Sequence, residues 1–384
     1  MSKRPLEGLR VADFSWFGAG PIAANTLCHF GAEVVRIESE TKVDGIRMVH
    51  PFAMNPDGTF KSGYNVSGYF NNYNTGKLSM SLNLNTEDHE GEPEHHRRVR
   101  ADAGARRTTP RFPWLRGGAD SCYRHQRDVG LPERPPFGIG TNYPDYVINP
   151  GHTVTAMLAA HRYRLKTGKG QCVELPQLES VVNALGTAVA ERLANGTNPT
   201  RTGNRHPAYS PHGAFRCADD PGSVNSPDRW VVVACRDDAE WMRVAGVLGH
   251  GDIAQDGRFN SLVARKDNED ELEGLVNSWT AGWKAEELCA ALQAAGVPAG
   301  VVQNAQDMLD RDPHLKAREY YQYVEHAEAG REAHDSPAAR LSETPGWVPG
   351  PAPLMGEHTM DVCERIIGLT MDEIADLLAE GVLV

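Results

Sequence analysis

An α/β fold built on a parallel, helix-covered sheet is what the chain predicts, and two observations carry the expectation. The first is a compact run at the start. "LRVADFS" (9–15) is apolar and of strand length, "GPIAANTLCHFGA" (20–32) has helical spacing and closes on a glycine, and "EVVRIES" (33–39) is a second apolar run. Strand, helix and strand in so short a span form a β-α-β unit, whose crossover sets the two strands parallel. The second observation is that strand-length and helix-length patterns keep alternating through most of the chain.

The later elements follow in order. "LSMSLNLN" (78–85) alternates apolar and polar residues, as a strand with one covered face does. "TVTAMLAAHRYRLKTG" (153–168) reads as a helix that stops at Gly168. "KGQCVELP" (169–176) reads as a strand and "LESVVNALGTAVAERLANG" (178–196) as one long helix. "RWVVVACR" (229–236) is a strand, followed by the helix "DAEWMRVAGVLG". "DELEGLVNSWTAGWKAEELCAALQAAG" gives two helices and "VPAGVVQ" a strand. The tail "TMDEIADLLAEGVLV" opens on a threonine cap with an acidic first turn, then carries an apolar stripe. No internal repeat is present.

Composition narrows the function. The 384 residues are 40% hydrophobic and 23% charged, which is enough chain for a large core or two domains. A net charge of -12 argues against general affinity for nucleic acid or an anionic membrane. No apolar run reaches membrane-span length, and "MSKRPLEGLRVADFS" lacks the apolar core of a secretory signal. The seven cysteines are scattered without a CxxC pair, so a reduced, cytoplasmic protein without a zinc site is expected. One block stands apart. Residues 87–134 have almost no apolar periodicity, and His95 to Arg134 contains ten arginines and no lysine, a composition typical of a poorly packed segment.

Four stretches invite a chemical reading. "GAGPIA" (18–23) follows a strand and opens a helix, and Glu38 ends the next strand, which is close to a dinucleotide fingerprint. Pro21 has no N–H where pyrophosphate would be cradled, so a tight strand-to-helix turn or a different ligand outweighs a nicotinamide dehydrogenase. "TGKGQCVEL" lacks the P-loop spacing. Ser210 has His212 nearby but no nucleophile elbow around it. In "NYPDYVINPGH" (142–152), Asp145 follows a proline just before a helix expected to begin near Gly151 or His152. There a carboxylate is first a turn or cap residue, and the helix N-terminus would favour its anion.

Several separated stretches, in the right order, resemble one family. "LEGLRVADFSWFGAGPIAANTLCHFGAEVVRIES" looks like the N-terminal signature of the family III CoA-transferases, a group that includes α-methylacyl-CoA racemases. "NNYNTGKLSMSLNLNT" is similar to the family's next segment, and "PPFGIGTNYPDYVINPGHTVTAMLAAHRYRLKTGKGQCVELPQLES" resembles its central motif. "AGVPAGVVQNAQDMLDRDPHLKAREYY" and "APLMGEHTMDVCERIIGLTMDEIADLLAEGV" resemble its C-terminal half. The likeness covers the chain except residues 87 to about 130.

The resemblance implies an α/β architecture with a Rossmann-like large domain made from both chain ends. Residues 1–200 form its N-terminal part, 208–315 a smaller α/β domain, and 325–384 the return to the large domain. Two such chains interlock as a homodimer. Asp145 matches the family's nucleophile. Ala19, Gly20 and Pro21 match the turn lining the CoA site, Lys77 a basic residue on the CoA nucleotide, and Arg47 an arginine near the same region. The implied reaction moves CoA from an acyl-CoA to a carboxylic acid through an aspartyl anhydride and an aspartyl-CoA thioester. CoA is then a substrate, and no tightly bound cofactor or metal is needed. Three departures stand out. Gly18 replaces a glutamine that some members hold over the thioester, and Ser39 an arginine that some use at the adenosine end. The family's CoA-binding loop and the glycine-rich stretch before the aspartate are missing from residues 87–130. The alternatives are an α-methylacyl-CoA racemase, whose histidine falls in that missing segment, and a catalytically impaired CoA-binding homologue.

Overall fold

The computed structural model describes residues 4–83, 130–135, 143–224 and 226–384. All but Gly130 of the divergent 87–130 segment lies outside them. The chain divides into two units. One comprises Met1–Gln126, Gly138–Pro199 and Lys316–Val384; the other comprises Arg127–Phe137 and Thr200–Leu315. Both are mixed α/β.

The first unit opens as the sequence predicts. Strand β1 (Arg10–Asp13), helix α1 (Ala19–His29) and strand β2 (Glu33–Glu38) form the β-α-β unit. A short helix α2 (Gly68–Tyr73), absent from the sequence reading, leads into β3 (Leu78–Ser81). The three strands make one parallel sheet in the order β1-β2-β3, with Arg10 opposite Glu33 and Val35 opposite Leu78. Helix α1 buries Ala24, Leu27 and Cys28 against Val34 of β2. The face of Val35, Ile37 and Met80 is covered instead from the far end of the chain by Val362, Cys363, Ile374 and Leu383.

The long helix α3 (Asn149–Thr167) starts earlier than the sequence suggests and ends as expected, with Gly168 in the left-handed conformation. Residues 169–176 are exposed or half-buried irregular backbone, not the expected strand; "KGQCVELP" has no pairing partner among the described residues. The single helix expected over 178–196 is two, α4 (Gln177–Asn183) and α5 (Gly186–Asn195). The break falls at the Leu185–Gly186 step, where glycine lowers helix propensity.

The second unit contains the antiparallel sheet β4 (His212–Cys217), β5 (Arg229–Ala234) and β6 (Ala299–Val301), with His212 opposite Ala234 and Val231 opposite Val301. Helices α6 (Asp238–Val247), α7 (Leu262–Asp267), α8 (Glu269–Thr280) and α9 (Ala285–Ala294) belong with it. Its core is Phe215, Val231, Val233, Trp241, Phe259, Leu272, Leu288 and Leu292. Back in the first unit, β7 (Tyr321–His326) and β8 (Gly330–Asp335) form a hairpin, and α10 (Met371–Ala379) closes the chain. The cap of α10 is the one its sequence announces: Thr370 and Glu373 hold each other's backbone N–H in a capping box. No helix among the described residues is long and apolar enough to cross a membrane.

Candidate active site

The loop leaving β1 is held from beneath by buried charge. Asp13 accepts the Ser15 N–H at 3.0 Å and Lys77 Nζ at 2.9 Å, and Arg36 Nη1 lies 3.4 Å away. Arg36 also donates to the Ser15 carbonyl and to Asp44. Asp44 receives the Phe17 N–H at 3.3 Å and the Ile46 N–H at 3.1 Å. Burial alone would raise the Asp13 carboxyl, but Lys77 and Arg36 outweigh it and hold it well below the usual carboxylate range. This network fixes the residues between β1 and α1. It includes Phe17, whose φ of 61° is an uncommon backbone state for an aromatic residue.

Gly18, Ala19, Gly20 and Pro21 then turn the chain into α1. Gly18 caps the helix without a side-chain hydrogen bond, its carbonyl accepting the Ile22 N–H at 3.0 Å. Gly20 is tied to its residue type by contact: a Cβ there would meet the Ser15 Cβ at 2.3 Å and Oγ at 2.6 Å.

Asp145 comes to this turn from a distant part of the sequence. A Cβ on Gly18 would lie 3.1 Å from the Asp145 Cβ and 3.5 Å from Oδ2, so the bare glycine leaves room for the carboxylate. The position of Asp145 corrects the sequence reading. It does not precede its helix; it sits in a five-residue π-helical turn, Pro144–Ile148, that runs directly into α3. Pro144 opens that turn, where a missing N–H costs nothing. Wide turns of this kind are frequent at functional sites. The expected anion-favouring environment is also revised. Asp145 is half-buried, and burial pushes its carboxyl up from the usual range, with the Asn149 side chain pulling the other way. Asn149 Nδ2 lies 3.5 Å from Asp145 Oδ1, and Ser180 Oγ, from α4, donates to Asn149 Oδ1. The neighbouring Tyr146 packs edge-to-face on Tyr73 at 5.0 Å, and burial pushes its phenol up to about 12 against the Tyr73 hydrogen bond.

The structure therefore brings the turn that carries Ala19, Gly20 and Pro21 to Asp145, the approach being made at Gly18. It sets the two basic residues in buried networks. Lys77 is fully buried, and its three N–H groups go to Asp13, the Pro21 carbonyl and Asn74 Oδ1, each at 2.9 Å. Arg47 is equally buried. It grips Glu38 at 2.8 and 2.7 Å, donates to the Tyr64 carbonyl and Asn65 Oδ1, and lies over the Phe70 ring. Both charges are engaged within the chain. Glu38, holding Arg47 and accepting from Ser79, is likewise closed to a ribose, which removes the footing of the dinucleotide reading. Sequence reasoning missed Asn149, Asp13 and Arg36. Asn149 had a signal, its spacing of four from Asp145 along a helix.

The family model described as CoA-transferase family III matches residues 6–91 and 119–359. The chain belongs to CoA-transferase family III. The interval between the two matched stretches, residues 92–118, falls inside the block 87–134. The probable CoA-transferase of Mycobacterium tuberculosis is 30% identical over 419 residues, covering 99% of this chain and 50% of that protein, so the chain spans half of this relative's length. The succinyl-CoA–D-citramalate CoA-transferase of Chloroflexus aurantiacus is 28% identical over 406 residues, covering 99% of this chain and 98% of its own. Among solved structures, a CaiB/BaiF family protein from Brucella suis superposes with a TM-score of 0.79 at 24% identity, over 95% of this chain and 100% of the other. That likeness speaks for the fold alone.

Proposed function

We propose that this family III member transfers CoA from an acyl-CoA to a carboxylic acid with Asp145 as nucleophile. The observation that carries the reading is the half-buried Asp145 carboxylate lodged on Gly18 at the uncapped start of α1. A carboxylate deprived of water is a stronger nucleophile, and the N–H groups of Ala19 and Gly20 in the first turn of α1 suit a developing oxyanion. The Asp145 carboxylate attacks the thioester carbonyl and expels CoA thiolate, giving a mixed anhydride. The thiolate attacks the aspartyl carbonyl, releasing the donor acid and leaving an aspartyl-CoA thioester. The acceptor carboxylate displaces the thiolate to form a second anhydride. The thiolate then takes the acceptor's acyl group and frees Asp145. Thioester and carboxylate are conserved in number, so the sequence closes without redox or ATP. The relative acting on succinyl-CoA and D-citramalate favours dicarboxylic acids and their CoA esters as substrates. A racemase is disfavoured because His152, the nearest histidine along α3, is exposed and seven residues further on in the same helical run.

In this reading the first unit is a Rossmann-like CoA-binding domain assembled from both chain ends, in which Lys77 and Arg47 hold the CoA-lining loops instead of the nucleotide. A second copy of the chain interlocks with it. Mass spectrometry of the protein incubated with a panel of acyl-CoAs tests the reading. We expect a covalent adduct on Asp145 that Asp145→Asn abolishes, with the melting temperature little changed. Turnover in Asp145→Asn near that of the parent would remove the residue from the mechanism. A parent chain that binds CoA without forming an adduct would be an impaired homologue.

A further inference from the structure

Asn149 and Ser180 are almost completely buried, at 2% and 1% exposure. A buried amide is costly unless paired, and an apolar side chain would fill the start of α3 more cheaply. What Asn149 does with its two ends is therefore informative. Ser180 has one proton and two acceptors within reach, Asn149 Oδ1 and the Gln177 carbonyl at 2.9 Å. If that proton went to Gln177, the amide would have to turn its Nδ2 to Ser180 and its oxygen to the Asp145 carboxylate, setting two acceptors face to face. With the proton on the Asn149 side, Oδ1 is satisfied and Nδ2 points at Asp145 Oδ1. The serine thus selects the amide orientation that gives the aspartate a donor.

The two oxygens of Asp145 have different surroundings: Oδ1 meets the amide and Oδ2 lies over Gly18. We infer that Asn149 is a further catalytic residue, a donor to Asp145 Oδ1 that leaves Oδ2 free to attack, and that Ser180 is the positioning residue that orients it. This rests on the reading of Asp145 as nucleophile. Once Oδ2 has carried out the attack, Oδ1 is the carbonyl oxygen of the anhydride and of the aspartyl-CoA thioester. It becomes an oxyanion each time thiolate or acceptor adds to that carbon, so the same N–H serves the ground state and every tetrahedral intermediate on Asp145. The 3.5 Å separation is long for a hydrogen bond, as donors often are before the reacting complex tightens them.

A structural role and a catalytic one separate by pH. The titratable groups nearest the turn on the elements packed against it are Cys28 and His29 on α1, Tyr73 on α2, the exposed His152 at the start of α3, the exposed Glu179 on α4, and Tyr143 and Tyr146 on the turn itself; His161, Arg162, Tyr163, Arg164 and Lys166 lie two turns or more further along α3. Among the described residues none forms an ion pair with Asp145, which leaves Asn149 as the group that favours its anion. Removing the donor raises the Asp145 pKa further, and the acid limb of adduct formation moves to higher pH.

The experiment measures the rate of the Asp145 adduct against pH, with succinyl-CoA as donor, for the parent, Asn149→Leu and Ser180→Ala, beside their melting temperatures. We expect Asn149→Leu to slow adduct formation on the order of 100-fold and shift the acid limb upward. Ser180→Ala, the milder change should Asn149→Leu fail to fold, is expected to shift the limb in the same direction by less. Parent-like rates and an unmoved limb in folded variants would overturn the inference while leaving Asp145 as nucleophile. A parent without an Asp145 adduct overturns both.

Discussion

At the scale of single residues, the site is a matter of which charges are spent and which are left. Lys77 and Arg47 look available in the sequence because lysine and arginine usually are; their buried partners Asp13 and Glu38 lie 64 and 9 positions away, and no periodicity links them. Asp145 was legible as a turn acid, and the resemblance marked it as the candidate nucleophile that the proposal takes up. Its π-turn was not, although Pro144 marked where the helix begins. Two predictions belong here. Gly20→Ala sets a methyl group against Ser15 Cβ, which cannot swing away as a side-chain tip can, so we expect a loss of about 1–3 kcal/mol in thermal or urea denaturation. The second concerns pH. Burial holds the His29 and His334 imidazoles down to about 4, against 6.5 when unfolded. Between these values the unfolded chain takes up protons that the folded chain refuses. Stability is therefore fully present above about pH 6.5 and falls toward pH 4, by about 1.4 kcal/mol per pH unit for each histidine at the steepest. The half-buried carboxyls of Glu332 and Asp335 are raised and act in the opposite sense. The measurement is therefore the difference between parent and His334→Asn. The variant should show a shallower fall in melting temperature from pH 6.5 to 4, and parallel curves would refute the assignment.

At the scale of elements, patterning decided what could be read. β2 and α10 announce themselves, one by the run Val34, Val35 and Ile37, the other by its capping box. The hairpin β7–β8 did not, because "YQYVEH" and "GREAHD" carry polar residues on both faces and no turn glycine pair between them, and neither did β4, whose "HGAFRC" sets only Phe215 and Cys217 as large apolar residues on its covered face. The expected strand at 169–176 has the residues for pairing but no neighbour to pair with among the described residues, which shows how far β propensity depends on context. The apolar stripe of α10 has a direct test. Ile374 is 1% exposed and packs with Val35, Ile37 and Met80 of the parallel sheet. Ile374→Ala should cost about 2–5 kcal/mol, read as a lowered denaturation midpoint with an unchanged slope.

At the scale of the whole molecule, the helices that follow Asp145 raise the question of assembly. Only Asn149 and Pro150 of α3 are buried and no residue of α5 is, and Leu165 and Leu193 are 73% and 82% exposed. Apolar surface of this extent on a monomer marks an interaction face. The expected outcome is a dimer by light scattering at micromolar concentration that dissociates only as it unfolds. A folded, monodisperse monomer would remove the interlocked arrangement from the proposal.

The sheet of the first unit carries one more consequence. The Ser79 N–H donates to His358 Nδ1 across 279 positions of sequence, and Leu82 bridges Leu383 nearby. On the ribosome, at ~5–20 residues per second, that gap is on the order of 15–55 s of synthesis. For that time the nascent chain holds β3 with its last partners unmade and the apolar side chains of Val35, Ile37 and Met80 uncovered. Thr200–Leu315 emerges as one continuous stretch within that interval, carrying all of the second unit's core cluster. The order of completion is thus inverted with respect to the order of translation: the middle can close first, and the beginning waits for the end.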